Sequence, residues 1–585
     1  MIKTMKRRAV QSVACLTLIA TAARAADNPE QMAAPTLSPF SIGGDSRTNN
    51  DARANAGWIP RMAAIGITVA RTPDMSWGAV EPEEGKWKWD KLDAQMSYLS
   101  DQHFIFGGLL IGSPKWNILD RPGTLPGNNL PGWSAYVTEL VKHANRKIKY
   151  WEVWNEPPNF TGHDQKPADY AKIVVSAYDA AKAADPTCLV GLAAKSVHVN
   201  YLEQVIKAGA RDHFDYIVLH PYETLGTVTD HSGAEPVYMH IAPTVRKMLV
   251  AQDPAKANVP IWFTELGYDA GKDASLQGHA LVKAYTMGIA QGIACISWFE
   301  GMDGDSGPMG LLEANGTPRP AYIAMAQMIR YLGQRPTYLG WLLLNDKDYA
   351  FIFKSDEINL QGPGRGSVMI IWAPKGTQDT IDFGKQVAIV DPLTGTATQA
   401  GTYALSDAPV IVYHTPANLV TLAQDNLTKP FPWDGDYTNA KSVSVTFGET
   451  NVEKGLHTDS AASVAADVVA YGGSGRAGDI PGGNVFMVDP NFLTYTATPI
   501  EITVVVRRNP ANDNAGFKLK YESTNGFKDF GWYTVPDNKE WHTKTWKIND
   551  AQFVSMWGYN FSLDSDGNQY NKYAIQSVTV TKLDK

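Results

Sequence analysis

Between about residues 37 and 335, short apolar runs alternate with helix-period segments eight times. The runs are Phe40–Gly43, Ile67–Arg71, Ile105–Ile111, Tyr150–Trp154, Val190–Ala193, Tyr216–Leu219, Ile261–Thr264 and Cys295–Phe299. Between them, the segment from Asp90 to His103 sets Leu92, Met96 and Leu99 on one face, and the segment from Pro167 to Ala184 opens on a proline and is rich in alanine. Strands separated by helices pair in parallel, since each return to the same sheet edge needs a crossover. Eight such units in about 300 residues predict an α/β fold, a closed (β/α)8 TIM barrel over residues 37–335. In that architecture the C-terminal strand ends share one mouth, and chemistry collects there.

Two of those ends carry a glutamate. The fourth run continues Trp154-Asn155-Glu156-Pro157-Pro158, and proline opposes further strand pairing, so a carboxyl and a carboxamide are held on a strand tip. The seventh runs Ile261-Trp262-Phe263-Thr264-Glu265-Leu266-Gly267, with Gly267 placed to let the chain turn. Two carboxyl groups facing across one mouth are the minimum equipment for cleaving a glycosidic bond. Glu156, beside Asn155 and an apolar wall of Trp151 and Trp154 that would favour the protonated acid, is the candidate general acid. Glu265, aimed from a stiff strand, is the candidate nucleophile. Glu152, below the tip, reads as a barrel-interior or interface charge and not as a catalyst.

These motifs resemble the clan A retaining glycoside hydrolases. Asn-Glu-Pro at strand four and Thr-Glu-Leu-Gly at strand seven carry the likeness. The segment Trp77 to Asp90 and the wording Trp151-Glu-Val-Trp-Asn-Glu-Pro157 are most similar to family 39, which includes β-xylosidases and biofilm-polysaccharide hydrolases. The resemblance spans roughly residues 38–420. It implies that Arg71 lies near the nucleophile, that His220 and Tyr222 end strand six with Tyr222 able to hydrogen-bond the nucleophile, and that Trp298 forms the floor under the sugar. It also implies a substrate-holding role for Asn155 and carboxyl groups ~5–5.5 Å apart. Trp116, after strand three, reads equally as core or as a sugar platform.

Past Arg330 helical periodicity disappears. Residues 336–418 read as a small antiparallel β-sandwich and residues 428–585 as a C-terminal β jelly roll, with the polar, proline-bearing stretch from Asn418 to Pro432 as a linker. Trp532, Tyr533, Trp541, Trp546, Trp557 and Tyr559 in the last block are either sandwich core or a sugar-binding face. The second reading makes the block a carbohydrate-binding module that adds attachment to a polymer without chemistry.

Lys3, Lys6, Arg7 and Arg8, then an apolar stretch and Ala23-Arg24-Ala25, form a secretory signal over residues 1–25, so a secreted or periplasmic protein is expected. Its removal leaves 47 basic against 60 acidic residues, a net charge of −13 in place of −8. That balance speaks against nucleic acid as a partner, and no later apolar run reaches the ~18 residues of a membrane span. Cys188 and Cys295 read as two buried thiols, and no His/Cys cluster has metal-ligand spacing. The expected function is retaining hydrolysis of β-glycosidic bonds in a polysaccharide or oligosaccharide, with no cofactor and no metal. A transglycosylase on the same machinery, or a non-catalytic glycan-binding protein, are the alternatives.

Overall fold

The computed structural model describes residues 37–44, 57–72, 75–119, 124–159, 166–230, 234–271, 273–304, 306–355, 366–448, 450–458, 464–465, 475–478, 484–508, 515–538, 540–567 and 569–584. The signal expected over residues 1–25 lies outside them. Eight parallel strands close into a barrel: β1 (Phe40–Ile42), β2 (Val69–Thr72), β3 (Ile105–Leu110), β4 (Ile148–Val153), β5 (Leu189–Lys195), β6 (Tyr216–His220), β7 (Ile261–Leu266) and β8 (Cys295–Trp298). Closure is made where Ser41 of β1 registers with Ser297 of β8, their hydroxyls 2.7 Å apart. Among the described residues no helix is long and apolar enough to cross a membrane.

Strand alternation sorts the side chains. Val69, Ala193, Tyr216, Val218, Trp262 and Cys295 fill the lower barrel as one cluster. Ile296, Trp298, Trp151 and Val153 pack in the larger cluster shared with the surrounding helices. Those helices form for local reasons. The helix Asp90–Asp101 buries Leu92, Met96 and Leu99 on one stripe. The helix Pro167–Ala184 starts on its proline, and the Asp169 carboxylate accepts from the Lys166 backbone N–H at 3.1 Å. Cys188 and Cys295 are both free and buried.

Six antiparallel strands follow in one sheet, β9 (Thr337–Leu344) to β14 (Val410–Tyr413), through β10 (Asp348–Lys354), β11 (Ser367–Trp372), β12 (Asp379–Val390) and β13 (Ala397–Leu405). One face belongs to the barrel core, through Tyr349, Phe351, Ile370 and Trp372. The other, with Ala350, Ile352, Met369 and Ile371, has its own core. The Trp372 indole N–H donates to Glu235 at 2.8 Å, so a polar group as well as apolar area ties this sheet to the barrel.

The stretch read as a linker is not one. It forms the helix Ala417–Gln424, whose Ala423 is fully buried, and Asn426 donates to the Trp341 carbonyl at 3.1 Å. Phe431 is buried with its ring stacked 5.5 Å from Phe351. A single buried aromatic supplies roughly 1.5–3 kcal/mol, enough to hold a polar segment down.

The third block is an all-β unit whose strands include Ser442–Thr446, Thr498–Arg508, Gly516–Ser523, His542–Ala551 and Tyr573–Lys582. Its interior is built from alternating residues such as Ile500, Ile502, Val504 and Val506, with Phe517 and Trp546. The late aromatics therefore divide: Trp546 is core, Trp532 is 41% exposed, and Trp557 packs against the barrel. The block is docked, not tethered. Val554 and Met556 are buried in the barrel's own cluster. Ser196 donates to the Met556 carbonyl at 2.6 Å, Asn200 to the Ser523 carbonyl at 2.5 Å, and His240 meets Asn491 at 3.1 Å.

Candidate active site

The mouth of the barrel gathers the residues at the ends of β2, β4, β6 and β7. After Val153 the chain reverses sharply, with Trp154 at φ 64° and Glu156 at φ 48°. Each left-handed residue costs about 1–2 kcal/mol, a cost the fixed surroundings must offset. Three hydrogen bonds fix them: Tyr170 to the Val153 carbonyl at 2.6 Å, Trp154 N–H to the Leu110 carbonyl at 2.8 Å, and Lys195 N–H to the Pro157 carbonyl at 2.9 Å. At β7, the register to β8 slips between Phe263 and Leu266. Strict alternation is lost there, so Thr264 and Glu265 both reach the interior groups. Gly267 lacks a left-handed φ and serves close approach: a Cβ would fall 2.2 Å from the Phe299 carbonyl oxygen.

Arg71 is the hub. It is buried and bonds Glu152 twice at 2.9 Å, Asn155 Oδ1 at 3.0 Å, and Glu265. Burial alone would lower its pKa, but Glu152 and Glu265 raise it further, so the guanidinium is a permanent cation. Glu152 is thus the interior charge its position suggested. Glu265 also accepts from the Tyr222 hydroxyl at 3.1 Å. Burial pushes the Glu265 carboxyl up, but His220, Arg71 and the Tyr222 bond outweigh it, and its pKa falls below the ordinary glutamate value. Burial and the Glu265 charge hold the Tyr222 phenol protonated.

His220 stands between the two carboxyl groups. Its Nδ1 lies 3.0 Å from Glu156 and 3.6 Å from Glu265, and its Nε2 lies 2.9 Å from Thr264 Oγ1. A carboxylate oxygen of Glu156, a ring nitrogen of His220 and a carboxylate oxygen of Glu265 all lie within 4.8 Å of one another. Among the described residues this is the one trio whose donors could share a metal ion, and Arg71 already supplies Glu265 with a cation. Each glutamate side chain is 14% exposed, so both remain open to a ligand.

The structure therefore brings together Arg71, Asn155, Glu156, His220, Tyr222 and Glu265. It does not bring in Trp298. With Ser297 facing inward, Trp298 is turned outward and is fully buried against the helices. The strand-eight aromatic on the inner side is the half-buried Phe299, edge-on to Tyr222 at 6.5 Å. Parity counted from Ser297 would have found it. Trp116 is half-buried, packs edge-on to Trp77 at 5.6 Å and donates its indole N–H to the Glu81 carbonyl at 2.9 Å. Nor do Trp151 and Trp154 wall Glu156: Trp151 faces the helix layer and Trp154 packs on Trp133, 6.2 Å away. Thr264 enters the sequence reading only as part of the strand-seven motif, because a threonine inside an apolar strand carries no signal of its own.

No protein-family model matches the chain. A family 39 glycoside hydrolase from the gut symbiont Bacteroides cellulosilyticus WH2 aligns with a TM-score of 0.53 at 20% identity, over 64% of this chain and 80% of that one. Xylanase 10B from Thermotoga maritima aligns at 0.39 and 15% identity, over 50% of this chain and 94% of that one. In fold, the chain is similar to a family 39 glycoside hydrolase, as the wording of its strand-end motifs led one to expect.

Proposed function

We propose that the protein is a secreted retaining glycoside hydrolase acting on β-glycosidic bonds of a polysaccharide or oligosaccharide. One observation carries this reading: two carboxyl groups converge, with an oxygen of each lying within 4.8 Å of the other, and one of them is held ionised by Arg71 and Tyr222. That closeness supports double displacement over inversion, which needs ~6.5–9.5 Å to admit a water between the two groups.

In this mechanism a Glu265 oxygen attacks the anomeric carbon as its bond to the departing oxygen breaks, and Glu156 gives that oxygen its proton. Glu156 then removes a proton from water, the resulting hydroxide bonds the anomeric carbon, and Glu265 leaves as a carboxylate. Arg71 occupies Asn155 Oδ1, which leaves the carboxamide N–H groups to hold a sugar hydroxyl.

A panel of aryl β-glycosides tests the proposal. The wild type should release the aryl group from at least one of them, and Glu265→Ala should lose at least a thousandfold in rate, about 4 kcal/mol at ~1.4 kcal/mol per tenfold. Glu156→Ala should keep most activity on activated leaving groups and, with azide added, form a β-glycosyl azide. Near-wild-type turnover in Glu265→Ala, or an α-azide, would refute the mechanism.

A further inference from the structure

The C-terminal block reaches the mouth of the barrel. Its residues 554–558 are gathered on one buried carboxylate: Glu522 accepts from the backbone N–H groups of Val554 at 2.8 Å, Ser555 at 3.0 Å and Met556 at 2.5 Å, and from Asn560 Nδ2 at 2.9 Å. Four donors on one acceptor group make a rigid loop. Val554 and Met556 anchor it in the barrel core, and between them and the buried Gly558 stands Trp557, half-buried.

Trp557 has defined neighbours. The Lys195 ammonium sits 5.0 Å over its ring, and the His198 ring meets it edge-on at 4.7 Å. Both neighbours belong to the strand end behind Glu156. Lys195 is the last residue of β5, registers with His220 on β6, and donates its backbone N–H to the carbonyl of Pro157. His198 Nδ1 lies 2.5 Å from the Lys195 backbone carbonyl oxygen, which holds the ring to the same strand end. On the loop's other shoulder, Gly558 at φ 81° leaves room for the helix Tyr222–Asp230, where a Cβ would fall 2.2 Å from Thr227 Oγ1 and 3.2 Å from the Glu223 carbonyl oxygen. The loop thus touches the strand end behind the candidate acid and the helix that begins at Tyr222.

We infer that Trp557 forms a leaving-group wall of the cleft, stacking on the sugar unit that departs when Glu156 donates its proton. This rests on the glycosidase reading of the site. The departing oxygen must lie on the side of the acid, and Trp557 is a half-buried indole packed on the strand end behind that acid. A partly exposed indole suits the C–H face of a pyranose ring, and Lys195 keeps the ring in place.

The test compares two substrates with one glycone, chosen by the aryl panel, in the full chain. A β-glycosyl fluoride loses a single atom and leaves the wall uncontacted, whereas an oligosaccharide releases a sugar against it. Trp557→Ala should lose at least tenfold more kcat/KM on the oligosaccharide than on the fluoride, and Trp557→Phe, which keeps a stacking ring, should recover most of that difference. Thermal melts establish that each variant folds. Equal losses on the two substrates, or no loss on the oligosaccharide, would overturn the wall while leaving the glycosidase intact. A wild type inactive on every fluoride and glycoside would overturn the glycosidase reading and the wall with it.

Discussion

Arg71 and Tyr222 decide how Glu265 behaves. Because the folded pKa of Glu265 lies below its ordinary 4.5, its charged form contributes stability that is present above about pH 4.5 and is lost as pH falls through the lowered value. The acid limb of kcat/KM should accordingly lie below pH 4.5, and Tyr222→Phe, which removes one donor, should move that limb upward. A limb unmoved in Tyr222→Phe would show that the hydroxyl contributes nothing to the ionised state. Arg71→Met is harsher. It leaves Glu152 and Glu265 buried without their cation, so it should cost about 3–5 kcal/mol of stability, measured by urea unfolding, in addition to activity.

At the scale of elements, Glu522 and the loop it organises offer a direct test. In Glu522→Gln one oxygen becomes an NH2 that faces a backbone or Asn560 donor, so a buried hydrogen bond turns into a clash of donors. The expected loss is about 1–3 kcal/mol, seen as a lower melting temperature, with Asp at this position no better because it is too short to reach all four donors. The elements were mostly legible in the sequence. Eight apolar runs between helix-period segments, and a glutamate at the tip of two of them, are local signals. Two misses lie at strand ends: Trp298 takes its side from the neighbour that faces inward, and nothing apolar marks Lys195 as the last paired residue of β5, which reaches past Ala193. The others are non-local. Phe431 looked like a linker residue because its partner Phe351 lies 80 positions earlier in the chain. Nothing in the sequence singles out Val554 and Met556, since apolarity in a strand-rich block does not say which core it enters.

The molecule as a whole behaves as one assembly of barrel, sheet and block. Removing residues beyond Thr421 would uncover the barrel flank that Val554, Met556 and Phe431 now cover, and would leave Ser196 and Asn200 without their carbonyl partners. Such a truncated chain should aggregate or lose activity on small aryl glycosides as well as on polymer, as measured by light scattering and initial rates. Full retention of aryl-glycosidase activity would mean that the docking has no bearing on the site. Limited proteolysis of the full chain should likewise spare residues 417–431, where a docked helix and a buried phenylalanine replace the expected linker.

The docking of residues 554–556 on the barrel also sets an order of events during synthesis. All eight barrel strands, with Glu156 and Glu265 on them, precede that loop in the chain by more than 250 residues. At roughly 5–20 residues per second, a nascent chain has every strand of the barrel well before it has the segment that seals its side. Until Met556 is made, the flank it covers stays apolar and open. Completion of the third block then closes it, so the unfinished chain carries an apolar surface that the finished one lacks.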